Sequence, residues 1–277
     1  MLSYINFNGS YIHADEPIIN ADSRGFRYGD GLFETIRVVD NEIHLAGYHF
    51  ERLFTSMKIL QLEIPEFFTP ENLSEQILSL VEKNHHRPSA RVRVTVFRGK
   101  GNLSDAQNNV PEYIIQSGPI ANRKFSLNED GLMVDLFEDG RKSCDKFSHI
   151  KSNNFLIYAM AALYAKKNNL DDCLILNSSN RVCESTIANI FLIKDKITYT
   201  PALSQGCVGG VMRRFLAEKM SKVFLLKETA LSVQDIKQAD EIFLTNAISG
   251  MRWIKQFGEI KYNNSLTAEI FKTIFER

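Results

Sequence analysis

Cysteine is scarce in this chain. Cys144, Cys173, Cys183 and Cys207 are the only four in 277 residues, and no two form a C-x-x-C pair. That density argues against a disulfide framework, and the spacing excludes a zinc ribbon. Free thiols in a reducing cytoplasm are the expectation. Long apolar runs are missing too. The longest, Phe155 to Ala165, has eleven residues, against the roughly 20 that a membrane-spanning helix needs. Met1 to Asn8 has no basic stretch followed by an apolar one, so no secretory signal is expected. An excess of either charge is lacking: 33 Lys plus Arg balance 33 Asp plus Glu. A neutral chain is poorly suited to coating nucleic acid or an anionic membrane, and neither partner is expected.

The common catalytic signatures are absent as well. There is no G-x-x-x-x-G-K-[ST], no H-E-x-x-H and no G-x-S-x-G. Arg98-Gly99-Lys100-Gly101 offers a G-x-G without its third glycine. His85 and His86 are adjacent and read as a solvated turn. No metal site is expected.

What is present is an ordinary globular composition, 44% hydrophobic and 24% charged, able to bury a core. A small, polar, Pro/Gly-bearing stretch at 118–122 reads as a linker. It divides a smaller α/β domain at 1–117 from a larger one at 123–277. In the first part, Asn8-Gly9-Ser10 between Tyr4–Phe7 and Tyr11–His13 signals a hairpin. Phe33 to Val39 reads as a strand. Arg91 to Phe97 alternates strictly, with valines on one face and Arg91, Arg93 and Thr95 on the other. Tyr48 to Leu60 has helical spacing, and Thr69-Pro70 caps a second helix over Leu73, Ile77, Leu80 and Val81. In the second part, Phe155 to Ala165 is apolar all round, as a buried helix would be. Strands follow at 173–176, 190–193 and 241–244, and helices at 211–220 and around Leu266, Ile270 and Ile274. Interleaved strands and helices make the class α/β or α+β.

Four segments share a chemical logic. Lys151 stands just before the apolar helix, where desolvation would make its amine nucleophilic. Taken alone, it could equally be a helix-start lysine facing water. Glu184, followed by small residues and an apolar strand, could hold a ring nitrogen protonated; it could also be a loop glutamate. Gly209-Gly210 ahead of Val211 and Met212 opens a helix whose free N–H groups suit a phosphate, or forms an ordinary turn. Thr245 to Gly250 is a polar turn with more N–H donors. A lysine, a carboxylate and a phosphate cradle are together what pyridoxal phosphate requires.

These segments resemble the class IV aminotransferases, the fold-type IV pyridoxal phosphate enzymes. That family includes branched-chain aminotransferases, D-amino acid aminotransferases and 4-amino-4-deoxychorismate lyases. Besides the four segments, the markers are Arg24-Gly25-Phe26-Arg27-Tyr28-Gly29-Asp30-Gly31-Leu32-Phe33-Glu34-Thr35-Ile36-Arg37 and His49-Phe50-Glu51-Arg52-Leu53. The likeness runs from about Asn8 to Trp253. It implies a two-domain fold like that of D-amino acid aminotransferase, with the cofactor in the cleft of a homodimer. It implies that Lys151 is the Schiff-base lysine, Glu184 the carboxylate on the pyridine nitrogen and Arg52 the arginine on the phosphate. Gly210, Val211 and Met212 match the backbone cradle, and Val208 the residue packing on the ring. Asn246 and Ala247 match a second phosphate-side turn, although the family often has threonine where Ala247 stands. Asn189 is expected to hold the loop.

The activity so implied is transfer of an amino group from an amino acid, branched-chain-like, to a 2-oxo acid through Lys151. The alternative is 4-amino-4-deoxychorismate lyase, which Glu184-Ser185-Thr186 and Thr245-Asn246-Ala247 resemble. A rival of another class is a non-catalytic α/β binding protein. For the substrate, Arg91, Arg93 and Arg98 are candidate carboxylate partners, with Tyr28 and Phe33 as candidate pocket walls.

Overall fold

The computed structural model describes residues 3–103 and 108–276. The chain divides into two compact units, Met1–Lys124 with Ile150–Asn154, and Phe125–His149 with Phe155–Arg277. Gly118 and Pro119, expected to open a linker at 118–122, instead close a strand, because they pair with Arg91 and Ala90. The first unit runs on to Lys124 and includes the short strip that carries Lys151.

In the first unit the strands are β1 (Tyr4–Phe7), β2 (Ser10–His13), β3 (Gly31–Val39), β4 (Glu42–Ile43), β5 (Ser89–Arg98) and β6 (Pro111–Pro119). The helices are α1 (Arg24–Tyr28), α2 (Ala46–Ile59) and α3 (Pro70–Lys83). The sheet is antiparallel, in the order β2-β1-β6-β5-β3-β4. Leu32, Ile36 and Val38 of β3 pack with Val92, Val94 and Val96 of β5 against Leu53 and Met57 of α2 and Leu73 and Ile77 of α3. The alternation therefore puts Phe33, Thr35 and Arg37 on the other face, level with Thr95, Arg93 and Arg91. Thr69 caps α3 by accepting from Asn72 N–H at 3.2 Å, with Pro70 in the first turn.

The strip at Ile150–Asn154 lies along the start of β3. Phe33 N–H donates to Lys151 O and Asn153 N–H to Gly31 O, both at 2.9 Å. Glycine is required at position 31 for this approach. A Cβ there would come within 2.5 Å of Val96 O and 2.6 Å of Asn153 Nδ2.

The second unit contains β7 (Leu132–Lys142), α4 (Leu156–Lys167), β8 (Asp172–Asn177), β9 (Val182–Ser185), β10 (Asn189–Lys194) and β11 (Ile197–Pro201). It continues with α5 (Val211–Met220), β12 (Leu226–Thr229), α6 (Val233–Lys237), β13 (Glu241–Asn246), β14 (Gly250–Phe257), β15 (Ile260–Lys261) and α7 (Ser265–Phe275). The sheet runs β12-β11-β10-β13-β14-β7-β8-β9, with β15 on β14. It is mixed: β11/β12, β14/β7 and β7/β8 are parallel. Ile190, Leu192, Ile242, Leu244 and Ile254 build the core on one face. Phe191 and Phe243 stack at 5.0 Å on the other. On that second face Glu241 caps α7, accepting from Leu266 N–H at 2.8 Å and Thr267 N–H at 2.7 Å.

Helix α4 corrects an expectation. It is not buried all round: Tyr158, Ala161 and Ala165 pack with Phe137, Cys173 and Ile175, while Leu156 is 76% and Leu163 60% exposed. A helix laid on a sheet covers only one stripe, and two alanines in that stripe allow close approach. Among the described residues no helix is long and apolar enough to cross a membrane, and no His, Cys, Asp and Glu cluster could hold a metal ion.

Candidate active site

In the first unit Lys151 is half-buried, and its ammonium lies 4.4 Å from the centre of the Phe33 ring. The Arg93 guanidinium lies over the same ring at 3.6 Å. Arg93 Nε also donates to Thr95 Oγ1 at 3.1 Å. Burial pushes the Arg93 pKa down, and neighbouring Arg91 adds to this. Arg91 itself is exposed and pairs across the strands with Arg37. The rungs carrying these arginines bring in Thr35, Gln116 and Gly118, none of them acidic. Phe33 is buried, and Tyr28 closes α1 with Arg27 4.9 Å over its ring. Arg98 is placed elsewhere. It is buried and donates to Asp30 Oδ1 at 2.6 Å, Asn109 Oδ1 at 3.1 Å and the carbonyls of Leu60 and Gln61. Those bonds make Arg98 a tie between loops, so the expectation of a substrate role is corrected.

Arg52 projects from α2 toward Glu34 on the core face of β3. Its Nε donates to Glu34 Oε1 at 2.7 Å and its Nη2 to Oε2 at 2.5 Å. His49, one turn earlier, brings Nδ1 to 2.6 Å from Oε2. The i, i+3 spacing puts both residues on one helix face. Burial pushes the Glu34 carboxyl up, but Arg52 and then His49 outweigh it and hold the pKa at about 2. Glu34 is thus a fixed anion that orients the arginine fork.

In the second unit Glu184 is buried, with four donors around its two oxygens. Oε1 takes the Lys142 ammonium and Tyr158 OH, the latter at 2.7 Å. Oε2 takes Val208 N–H at 3.0 Å and Asn189 Nδ2 at 3.3 Å. Asn189 Nδ2 also donates to Val208 O at 2.9 Å, so it holds the loop, as expected. Burial pushes the Tyr158 hydroxyl up, and Glu184 adds to that, so the phenol stays a neutral donor.

Helix α5 opens at Gly210 without a side-chain cap, which leaves the N–H groups of Val211 and Met212 available as a cradle. Gly210 N–H itself donates to Val208 O at 2.8 Å, so Gly210 does not supply a cradle donor. A Cβ at this position would meet Asn189 Oδ1 at 1.9 Å, so any other residue would have to displace that amide. At the end of β13, Asn246 Oδ1 accepts from Ile248 N–H at 3.0 Å and Ser249 N–H at 2.8 Å, and Ala247 sits inside this turn. Thr245, level with Asn189 on β10, is 2% exposed, and its hydroxyl has no hydrogen-bond partner among the described residues.

Sequence reasoning did not assign roles to Lys142, Tyr158, Thr245, Glu34 or His49. The His49-x-x-Arg52 spacing could have revealed the last two. Nothing in the pattern of β7 marks Lys142, because a detour at 138–140 between two runs of pairing with β8 resets its facing.

The first unit thus presents a lysine beside an aromatic ring, and the second a deeply buried carboxylate and an uncapped helix start. The chain belongs to the amino-transferase class IV family, whose model matches residues 31–257; its members are pyridoxal phosphate-dependent aminotransferases and lyases. It is 27% identical over 99% of its length to a protein named as a branched-chain-amino-acid aminotransferase of Methanocaldococcus jannaschii, covering 94% of that protein. It is 26% identical to the aminodeoxychorismate lyase of Bacillus subtilis, over 94% of this chain and 88% of that one. Among solved structures, the branched-chain aminotransferase of the thermophilic archaeon Thermoproteus uzoniensis, crystallised with norvaline, matches with a TM-score of 0.88 at 23% identity, over 99% of this chain and 94% of that one. The fold is the two-domain, fold-type IV α/β fold, with one antiparallel and one mixed sheet.

Proposed function

We propose that the chain is an aminotransferase that moves the amino group of a small amino acid, branched-chain-like, to a 2-oxo acid. The observation that carries the reading is the pair of cations on Phe33: the Lys151 amine and the Arg93 guanidinium share one ring. That combines a nucleophile with a carboxylate partner. The 27% identity to the Methanocaldococcus jannaschii protein favours the branched-chain class.

The residues fit pyridoxal phosphate. The α5 start offers uncapped N–H groups, Gly210 keeps that turn free of a Cβ, and the Thr245 hydroxyl lacks a partner on the same face as Asn189. When bound, this cofactor supplies an electron sink conjugated to the substrate Cα. Lys151 Nζ would be the amine that carries it and the base that moves the proton at substrate Cα. Glu184 would hold the ring nitrogen. Val211 and Met212 N–H and the Arg52 guanidinium would bind the phosphate; Val208 would pack on the ring, and Asn246 and Ala247 would shape the second turn. Arg93 would orient the substrate carboxylate, with Arg91 as the outer cation. Two copies of the chain form the working enzyme. A reducing compartment suits its exposed free Cys144.

Aminodeoxychorismate lyase is the second reading, favoured by the Bacillus subtilis relative. One experiment separates the two. With no oxo acid present, L-leucine, L-isoleucine, L-valine or L-glutamate should yield one equivalent of its 2-oxo acid per protomer and then stop, and 2-oxoglutarate should restart turnover. If no amino acid does this while 4-amino-4-deoxychorismate releases pyruvate continuously, the lyase reading replaces it.

A further inference from the structure

Lys142 is a buried cation with no place in the roles above. The sheet brings it inward by an irregularity. Strand β7 pairs Val134–Phe137 with Asp172–Ile175, then detours through residues 138–140 before Arg141 and Lys142 pair with Leu176 and Asn177. A bulge of this kind re-aims the side chains after it. Arg141 is left exposed, while the Lys142 side chain is only 8% exposed.

There the ammonium pairs with Glu184 Oε1 and lies 5.1 Å from the Tyr158 ring centre. Burial alone would pull the Lys142 pKa down, but Glu184 more than offsets this and the net shift is upward. The other donors on Glu184 are a phenol, an amide and a backbone N–H, all neutral. Among the described residues bonded to Glu184, Lys142 therefore carries the one full positive charge. A buried carboxylate stripped of its counter-ion is costly, so the charge is needed before any cofactor arrives. Once the ring is present, the same charge competes with the ring N–H for one anion.

We propose that Lys142 is a positioning residue, the resident counter-ion of Glu184, and that it limits how strongly this carboxylate holds the ring nitrogen of pyridoxal phosphate. The inference rests on the reading of Glu184 as the ring-nitrogen carboxylate.

The test compares the affinity of the apo-protein for pyridoxal phosphate and for 1-deazapyridoxal phosphate, which has CH in place of the ring nitrogen. The ratio of the two dissociation constants isolates the Glu184 contact. Lys142→Met should raise the preference for pyridoxal phosphate about tenfold, Lys142→Arg should keep the parent ratio, and Glu184→Gln should bring it close to one. A purely structural lysine would weaken both affinities in parallel. An unchanged ratio in Lys142→Met, with Glu184→Gln still removing the preference, overturns the role of Lys142 alone. A Glu184→Gln protein with the parent ratio overturns the underlying reading of Glu184, and the inference with it. Should Lys142→Met not fold, Lys142→Gln removes the charge while keeping a hydrogen-bonding end, and its ratio is read in the same way.

Discussion

Each unit buries a carboxylate next to a cation, and the two arrangements are built differently. Glu34 uses both oxygens on the fork of Arg52, with His49 as a third partner. Glu184 divides its oxygens among four unlike donors, only one of them charged. Arg52 keeps 14% of its side chain exposed, whereas Lys142 keeps 8%. In the first unit the carboxylate fixes a planar cation by both of its oxygens. In the second the cation serves the carboxylate, a compact point charge that leaves its direction to the neutral donors. The same pair of charges thus orients a cation in one place and neutralises an anion in the other.

Replacing Lys151 removes the proposed nucleophile while sparing both carboxylates. Lys151→Ala should lower turnover by on the order of 10⁴-fold or more, as removal of a covalent nucleophile does. Thermal unfolding of the apo-protein should stay close to the parent, since the strip at 150–154 is held by backbone bonds. Normal turnover in this variant would end the aminotransferase and lyase readings together.

Arg52→Ala comes next in size. A charge-assisted contact to phosphate contributes roughly 1.5–3 kcal/mol, so pyridoxal phosphate should bind at least tenfold more weakly. With the cofactor saturating, turnover should fall much less. Glu34→Gln should act in the same direction but more weakly, because the fork loses its orientation and keeps its charge. An unchanged dissociation constant in Arg52→Ala would place the phosphate away from α2.

The acid limb of the stability curve reports on Glu34. The folded pKa of Glu34 is held at about 2, below its ordinary value of 4.5. The folded state therefore binds this proton less readily than the unfolded chain, and Glu34 stabilises the fold above pH 4.5. That contribution is lost as pH falls from about 4.5 toward 2. Unfolding followed over this window should show a steeper loss for the parent than for Glu34→Gln. Parallel curves would mean that Arg52 and His49 do not hold the charge.

Much of this was legible in the sequence, for reasons that differ by element. Strand β5 announces itself by strict alternation, and α3 by Thr69-Pro70 and its apolar spacing, because local pattern and burial agree there. Lys151, Arg52 and Val211 stand out only through the resemblance of their segments to family motifs. Strands β6 and β7 were not legible: β6 carries Gly118 and Pro119 at an end that reads as a linker, and β7 is broken by its detour. Lys142 depends on that detour, and Tyr158 on which stripe of an all-apolar helix meets the sheet. Both are decided by pairing distant in sequence, which no local window contains. Arg98 shows the converse error: its strand face does not decide its role, because a long side chain reaches Asp30, Asn109 and Leu60 at the strand's end.

The smallest expected effect belongs to Thr245, which separates stability from binding. Its hydroxyl is buried without a partner among the described residues, a state that costs about 1–3 kcal/mol relative to a satisfied group. Valine has nearly the same shape and no hydroxyl to strand. Thr245→Val should therefore leave the melting temperature of the apo-protein unchanged or slightly higher, where most buried substitutions lower it. If the hydroxyl faces a cofactor oxygen, the same variant should bind pyridoxal phosphate several-fold more weakly. The gain in melting temperature on adding cofactor should shrink in step. Cofactor affinity should fall while apo stability holds or rises. A fall in both would mean that the hydroxyl supports the fold, and a rise in apo stability with unchanged cofactor affinity would leave Thr245 outside the cofactor's reach.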